Sequence, residues 1–143
     1  MSHLCERRKK VVKTLVSLGS MCTIALGVWH FFVPKQWDWY SYISPQAPEL
    51  VLAVRAINVF FSLCLILIGV ANILFVYFSP TRFSLIVMLA ISNILWVVRC
   101  LFQIIYPQGS ANPSLQYGML SAFILIFICF LISLLFVLFK NPI

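Results

Sequence analysis

The chain has 143 residues, of which 63% are hydrophobic and 9% charged, against roughly half apolar and a quarter charged in an ordinary soluble domain. So little polar surface cannot enclose a water-soluble core, and a mean hydropathy of +1.06 agrees; the composition leaves room for one membrane domain over 1–143 and none for a soluble one. The formal charge of +7 does not point to nucleic acid, because five of the ten basic residues, Arg7, Arg8, Lys9, Lys10 and Lys13, crowd ahead of the first apolar run, where positive charge sets topology and meets anionic lipid.

The first apolar segment, 11–33, carries Ser20, Thr23 and Gly27 close to one stripe. Basic residues before an apolar run also resemble a signal peptide, but this run is long and no A-x-A cleavage site follows it. Next comes the stretch 34–49, PKQWDWYSYISPQAPE, an aromatic, proline-bounded loop expected in the outer interface. The second segment, 52–78, is the longest and either tilts or begins with an interfacial turn. Its Arg55, Asn58, Ser62, Gly69 and Asn72 are spaced 3, 4, 7 and 3 apart, which places them on one helical face, the seam of a close helix pair.

The third segment, 83–105, repeats Ser92, Trp96, Arg99 and Gln103 at intervals of 4, 3 and 4, with Asn93 alongside. The loop after it, PQGSANPSLQ, is uncharged and turn-forming and shows no sign of a functional site. The fourth segment, 117–139, has only Gly118, Ser121, Cys129 and Ser133 among bulky side chains and reads as the most lipid-facing. Each segment reaches the roughly 20 residues that span a hydrocarbon core of about 30 Å. Pro34, Pro80, Pro107, Pro113 and Pro142 fall at or beyond segment ends, where helices tolerate them. The expected fold is an all-α integral membrane four-helix bundle.

Arg7 to Lys13, Arg82 and Lys140 fall on one side of such a bundle, whereas the other side keeps Lys35 and Arg55 near its surface. The positive-inside rule makes the richer side cytoplasmic and puts both termini there. The five cysteines, Cys5, Cys22, Cys64, Cys100 and Cys129, are isolated, with no CxxC and no His/Cys cluster at metal-ligand spacing. Cys5, beside the basic cluster, is open to acylation, though no specific motif marks it.

An intramembrane arginine costs at least about 2.5 kcal/mol on insertion scales. Arg99 lies seven residues before Tyr106, about 10 Å along a helix, so it either snorkels to the boundary or marks a functional site. Arg55, nearer the boundary, also suits an interfacial anchor. His30, Arg55, Asn58, Trp96, Arg99 and Gln103 all belong to the outer half, and together they are the candidate ligand-binding set, lining a polar pocket open to the outer leaflet. Asp38 and Glu49, or an acidic ligand, are the candidate counter-charges.

Gly27 to Pro34, GVWHFFVP, resembles the G-x-x-HF-x-x-P pattern that ends helix one in small four-helix membrane proteins of the DoxX-like group. An aromatic loop and the proline-flanked SPQAPELV follow in the same order, so the resemblance covers 27–107 and rests on His30, Phe31 and Pro34. It implies a compact four-helix bundle and an association with redox enzymes or with quinone or sulfur metabolism; the expected location is a bacterial cytoplasmic membrane. A glutamate common in the group's second helix falls near Asn58 here, and an amide does not exchange protons at neutral pH, which puts a proton-coupled role in doubt.

Autonomous catalysis lacks its parts, with no Ser/His/Asp set, HExxH or phosphate loop in the chain; the enzyme version that remains is a quinone-linked oxidoreductase module. The leading expectation is a non-catalytic module that binds a lipid or quinone-like ligand. The alternatives are an accessory or scaffold subunit held by a membrane-protein partner, and a transporter, which at this length would need a homo-oligomer to enclose a pathway. Helices one to three, with their polar seams, are the expected functional core.

Overall fold

A computed structural model describes the backbone of residues 2–78, 81–109 and 112–140, and the side chains of residues 2–5 and 140 lie outside the described set. The expectations placed on Cys5, Pro80 and Pro142 fall outside it too. Among the described residues the structure is helical, with no strand: α1 (Ser2–His30), α2 (Val33–Gln36), α3 (Pro48–Phe78), α4 (Arg82–Ile105) and α5 (Pro113–Lys140), plus a 3-10 turn over Trp39–Tyr42. Within these helices, Glu6–His30, Pro48–Phe78, Arg82–Ile105 and Pro113–Phe139 are each long and apolar enough to cross a membrane.

The first helix ends earlier than residue 33, because Pro34 has no N–H to return to the carbonyl of His30. The chain turns at Phe31 and Phe32 and restarts as α2 with Pro34 in its first turn, burying Val33 and Pro34. The 34–49 stretch is therefore partly helical rather than a plain loop. Asp38 adopts a left-handed conformation (φ 47°, ψ 45°) at the start of the 3-10 turn, a region that short polar side chains enter more readily than others. At the other end of the bundle Thr81 caps α4, its hydroxyl accepting from the Ser84 N–H at 3.2 Å.

α1 packs on α3 and α5, and α4 packs on α5 and more sparsely on α3, so the long helices run round the bundle in chain order. Where α1 and α3 cross, each offers a glycine to a serine of the other. A Cβ added at Gly27 would stand 2.9 Å from the Ser62 carbonyl oxygen, and one at Gly69 would stand 2.9 Å from that of Ser20. Such contact needs the missing side chains, and it is the usual way membrane helices gain packing where lipid supplies no hydrophobic drive between them.

The side chains of the polar stripes mostly satisfy themselves along their own helix. Thr23, Ser62, Ser92 and Ser133 each donate to the carbonyl four residues back at 2.7–2.9 Å, and Asn93 does the same to Leu89 at 2.7 Å. In hydrocarbon this local bond is the cheapest partner for a hydroxyl or amide donor. The cross-helix bonds are fewer: Asn72 Nδ2 donates to Ser92 Oγ at 2.7 Å, joining α3 to α4, and the Ser17 and Tyr77 hydroxyls meet at 3.3 Å between α1 and α3.

The fourth spanning helix is not the most lipid-facing. Its Phe123, Ile126, Phe130 and Val137 are buried in the core with Val12, Val16, Leu85 and Leu89, and Gly19 of α1 lets the Phe130 ring come close. α3 is the least enclosed, with 22% of its most apolar window buried against 33% for each of the others. Its single seam toward α1 leaves Ile57, Phe60, Leu67 and Leu74 exposed. Arg82 adds a tie between α4 and α5: its Nε donates to the Val137 carbonyl at 2.9 Å and its Nη2 to that of Leu138 at 2.7 Å, a cation on the negative end of the α5 dipole.

Candidate ligand-binding cavity

The bundle is open at the end where α1 joins α2 and α4 joins α5. A cavity of about 890 Å³ lies there, walled by all four long helices, by α2 and the 3-10 turn, and by the α4–α5 connection. Its volume is near the upper end of ordinary small-molecule sites, about 300–1,000 Å³. The closure is poorest between α3 and α4, where Ile57, Val98 and Phe102 line the cavity yet remain exposed.

The wall has two levels. Toward the open end the wall carries its polar side chains, His30, Asn58, Arg99, Gln108 and Asn112, among the rings of Trp37, Trp39 and Tyr42. Below them the wall is apolar, with Leu26, Leu65 and Ile68 and the single hydroxyl of Thr23, which is already bonded to Gly19. Asn58 and Ile68 are ten residues apart on one helix, so the apolar pit descends about 15 Å below the polar rim.

At the rim His30 Nδ1 lies 2.7 Å from Asn58 Oδ1. An amide oxygen only accepts, so Nδ1 carries the proton and Nε2 of the neutral ring keeps its lone pair. Phe61 and Trp39 pack edge-on against the imidazole, with ring centroids 4.7 and 6.3 Å away. The Asn58 amide nitrogen has no partner among the described residues, so this side of the rim offers a free donor.

Across the cavity the Arg99 guanidinium is held by neighbouring side chains. Nη2 donates to Gln108 Oε1 at 2.6 Å and Nη1 to Gln103 Oε1 at 3.5 Å, while the guanidinium carbon sits 4.3 Å from the centroid of the Phe123 ring. Gln103 is fully buried and does not line the cavity; its amide donates to the Gln108 carbonyl at 2.9 Å and so braces the turn that holds Arg99. Trp96 is buried against Phe123, with centroids 5.7 Å apart, and presents part of its ring to the cavity.

Of the sequence-derived set, the structure brings His30, Asn58, Trp96 and Arg99 to the wall and places Gln103 behind it. Arg55 is elsewhere: it is exposed, with its guanidinium carbon 5.5 Å from the Tyr40 ring centroid, as an interfacial anchor would be. Asp38 and Glu49 are exposed and outside the wall, and among the described residues neither pairs with Arg99 or Arg55. Sequence reading missed Gln108 and Asn112, in a loop that carried no motif, and Met119 and Phe123, on a helix with no polar stripe to draw attention to it. All four tryptophans, Trp29, Trp37, Trp39 and Trp96, line the cavity.

No known protein family, curated protein or solved structure matches the chain. Its functional reading therefore stands on the cavity and its wall. Among the described residues no three His, Cys, Asp or Glu side chains gather as a metal ion would require. The wall presents donors, rings and apolar surface, an arrangement suited to holding a molecule with a polar head and an apolar body.

Proposed function

We propose that this chain is a small multi-pass membrane protein acting as a non-catalytic binding module for a lipid- or quinone-like amphiphile. The observation that carries the reading is the two-level wall, a rim of His30, Asn58 and Arg99 above an apolar pit that is poorly closed toward lipid between α3 and α4. A head group at the rim meets the Arg99 and Asn58 donors, and its tail replaces lipid contact with Leu65 and Ile68. Quinone carbonyl oxygens only accept, and they suit those donors. Positive charge on the opposite end of the bundle supports cytoplasmic termini and, with them, a rim in the outer leaflet. The DoxX-like resemblance favours a bacterial cytoplasmic membrane.

The reading is tested by native mass spectrometry of the protein purified in mild detergent. The expected result is a co-purifying amphiphile of a few hundred daltons that is lost from Leu65→Trp, a substitution that fills the pit. A monodisperse protein that carries no amphiphile, and takes up neither added lipid nor added quinone, would refute it.

A further inference from the structure

The rim is electrically lopsided. Arg99 is the one formally charged side chain among the described residues of the cavity wall, and its protein partners are two neutral amide oxygens and an aromatic ring. These supply dipoles and no charge. A guanidinium stays protonated in proteins, and among the described residues its charge has no counter-ion, an arrangement that intramembrane cations ordinarily avoid by pairing. The rim is also weighted toward donors: the Asn58 oxygen is taken by His30 while its amide nitrogen has no partner among the described residues, and the Gln108 side-chain oxygen is taken by Arg99. Such a rim calls for an acceptor that brings negative charge.

Resting on the binding-module reading above, we propose that the ligand is a long-chain carboxylate, its head held by Arg99 and Asn58 from facing helices and its single tail lying in the pit toward Ile68. One cation is matched by one negative charge, and a carboxylate supplies that, whereas a phosphate monoester carries about −1.5 to −2 at pH 7 and would leave the site over-neutralised. The fork of a guanidinium also fits the two oxygens of a carboxylate. A neutral quinone or ester meets the same hydrogen bonds without cancelling the charge.

The four tryptophans of the wall make the test direct. Full-length protein in a non-ionic detergent, at mildly alkaline pH, is titrated with dibromostearic acid and separately with its methyl ester, and bromine quenching of tryptophan fluorescence is followed. The acid is expected to quench saturably with at least about tenfold higher affinity than the ester, the size of effect that one charge-assisted hydrogen bond produces. Arg99→Gln should bring the acid down to the level of the ester, with a circular dichroism spectrum matching that of the unaltered protein to show that the variant is folded; Arg99→Lys should keep most of the preference. Equal binding of acid and ester by the unaltered protein, or a preference that survives in Arg99→Gln, overturns the carboxylate assignment while leaving the module intact. Absence of saturable quenching by either probe counts against the module itself.

Discussion

His30 Nδ1 and Asn58 Oδ1 meet at 2.7 Å, and with that bond α1 and α3 are joined at the cavity rim one turn above the point where Gly27 lies against Ser62. The bond places the imidazole proton on Nδ1 and occupies the Asn58 oxygen, while the Asn58 amide nitrogen has no partner among the described residues, so a structural tie between two helices also shapes the chemistry of the rim. In a double-mutant cycle of His30→Ala and Asn58→Ala, the coupling energy should be about 1 kcal/mol, in the range of cross-helix hydrogen bonds in membrane proteins. Unfolding by sodium dodecyl sulfate in mixed micelles, followed by circular dichroism, measures it; a coupling of zero would mean the two residues are neighbours without a bond.

The glycines should separate by position. A Cβ at Gly69 would stand 2.6 Å from Ile24 Cγ1 and 2.9 Å from the Ser20 carbonyl oxygen. Backbone cannot move aside as a side chain can, so Gly69→Ala should destabilise by about 1–3 kcal/mol. A Cβ at Gly118 meets nothing within 4 Å, and Gly118→Ala should stabilise α5 by up to about 1 kcal/mol through helix propensity alone. The same detergent titration reads both, and opposite signs are expected.

Removal of the Arg82 side chain in Arg82→Ala uncaps the carbonyls of Val137 and Leu138. The loss should be about 1 kcal/mol, confined to the end of α5, since a dipole partner acts over the last turn. Amide hydrogen exchange is the matching observable: amides of residues 134–139 should exchange faster in the variant, while those near Phe123 and Ile126 keep their protection. Uniformly faster exchange would show instead that Arg82 holds the α4–α5 pair together.

The number and approximate extent of the spanning helices were legible because lipid imposes a length of about 20 apolar residues, which any sufficiently long run displays. Arg99 stood out for the complementary reason, that a charge at such depth needs an explanation. The spacing of Gly27, Ser62, Gly69 and Ser20 foretold close packing, since an i, i+3, i+4 face is a property of the helix itself. Its partner could not be read: a stripe of small residues records that something approaches closely, and the structure identifies the approach as α1 against α3.

Charge pairing and wall membership were beyond reach of the chain alone. Asp38 and Glu49 lay close in sequence to the rim and were natural counter-charges for Arg99, but Asp38, left-handed at the start of the 3-10 turn, and Glu49, in the first turn of α3, both lie outside the cavity wall. Gln108 and Phe123 carry no periodic signal, and they became the partners of Arg99 only because the α4–α5 connection folds back over the cavity and α5 packs beside α4. The sequence by itself determined a chain with four helices long and apolar enough to span a membrane, since those properties follow from local composition and the 3.6-residue period. The tertiary structure alone decided that Arg99 faces a cavity in which no described side chain carries the opposite charge, because which side chains converge at a point depends on how helices far apart in the chain are set against one another.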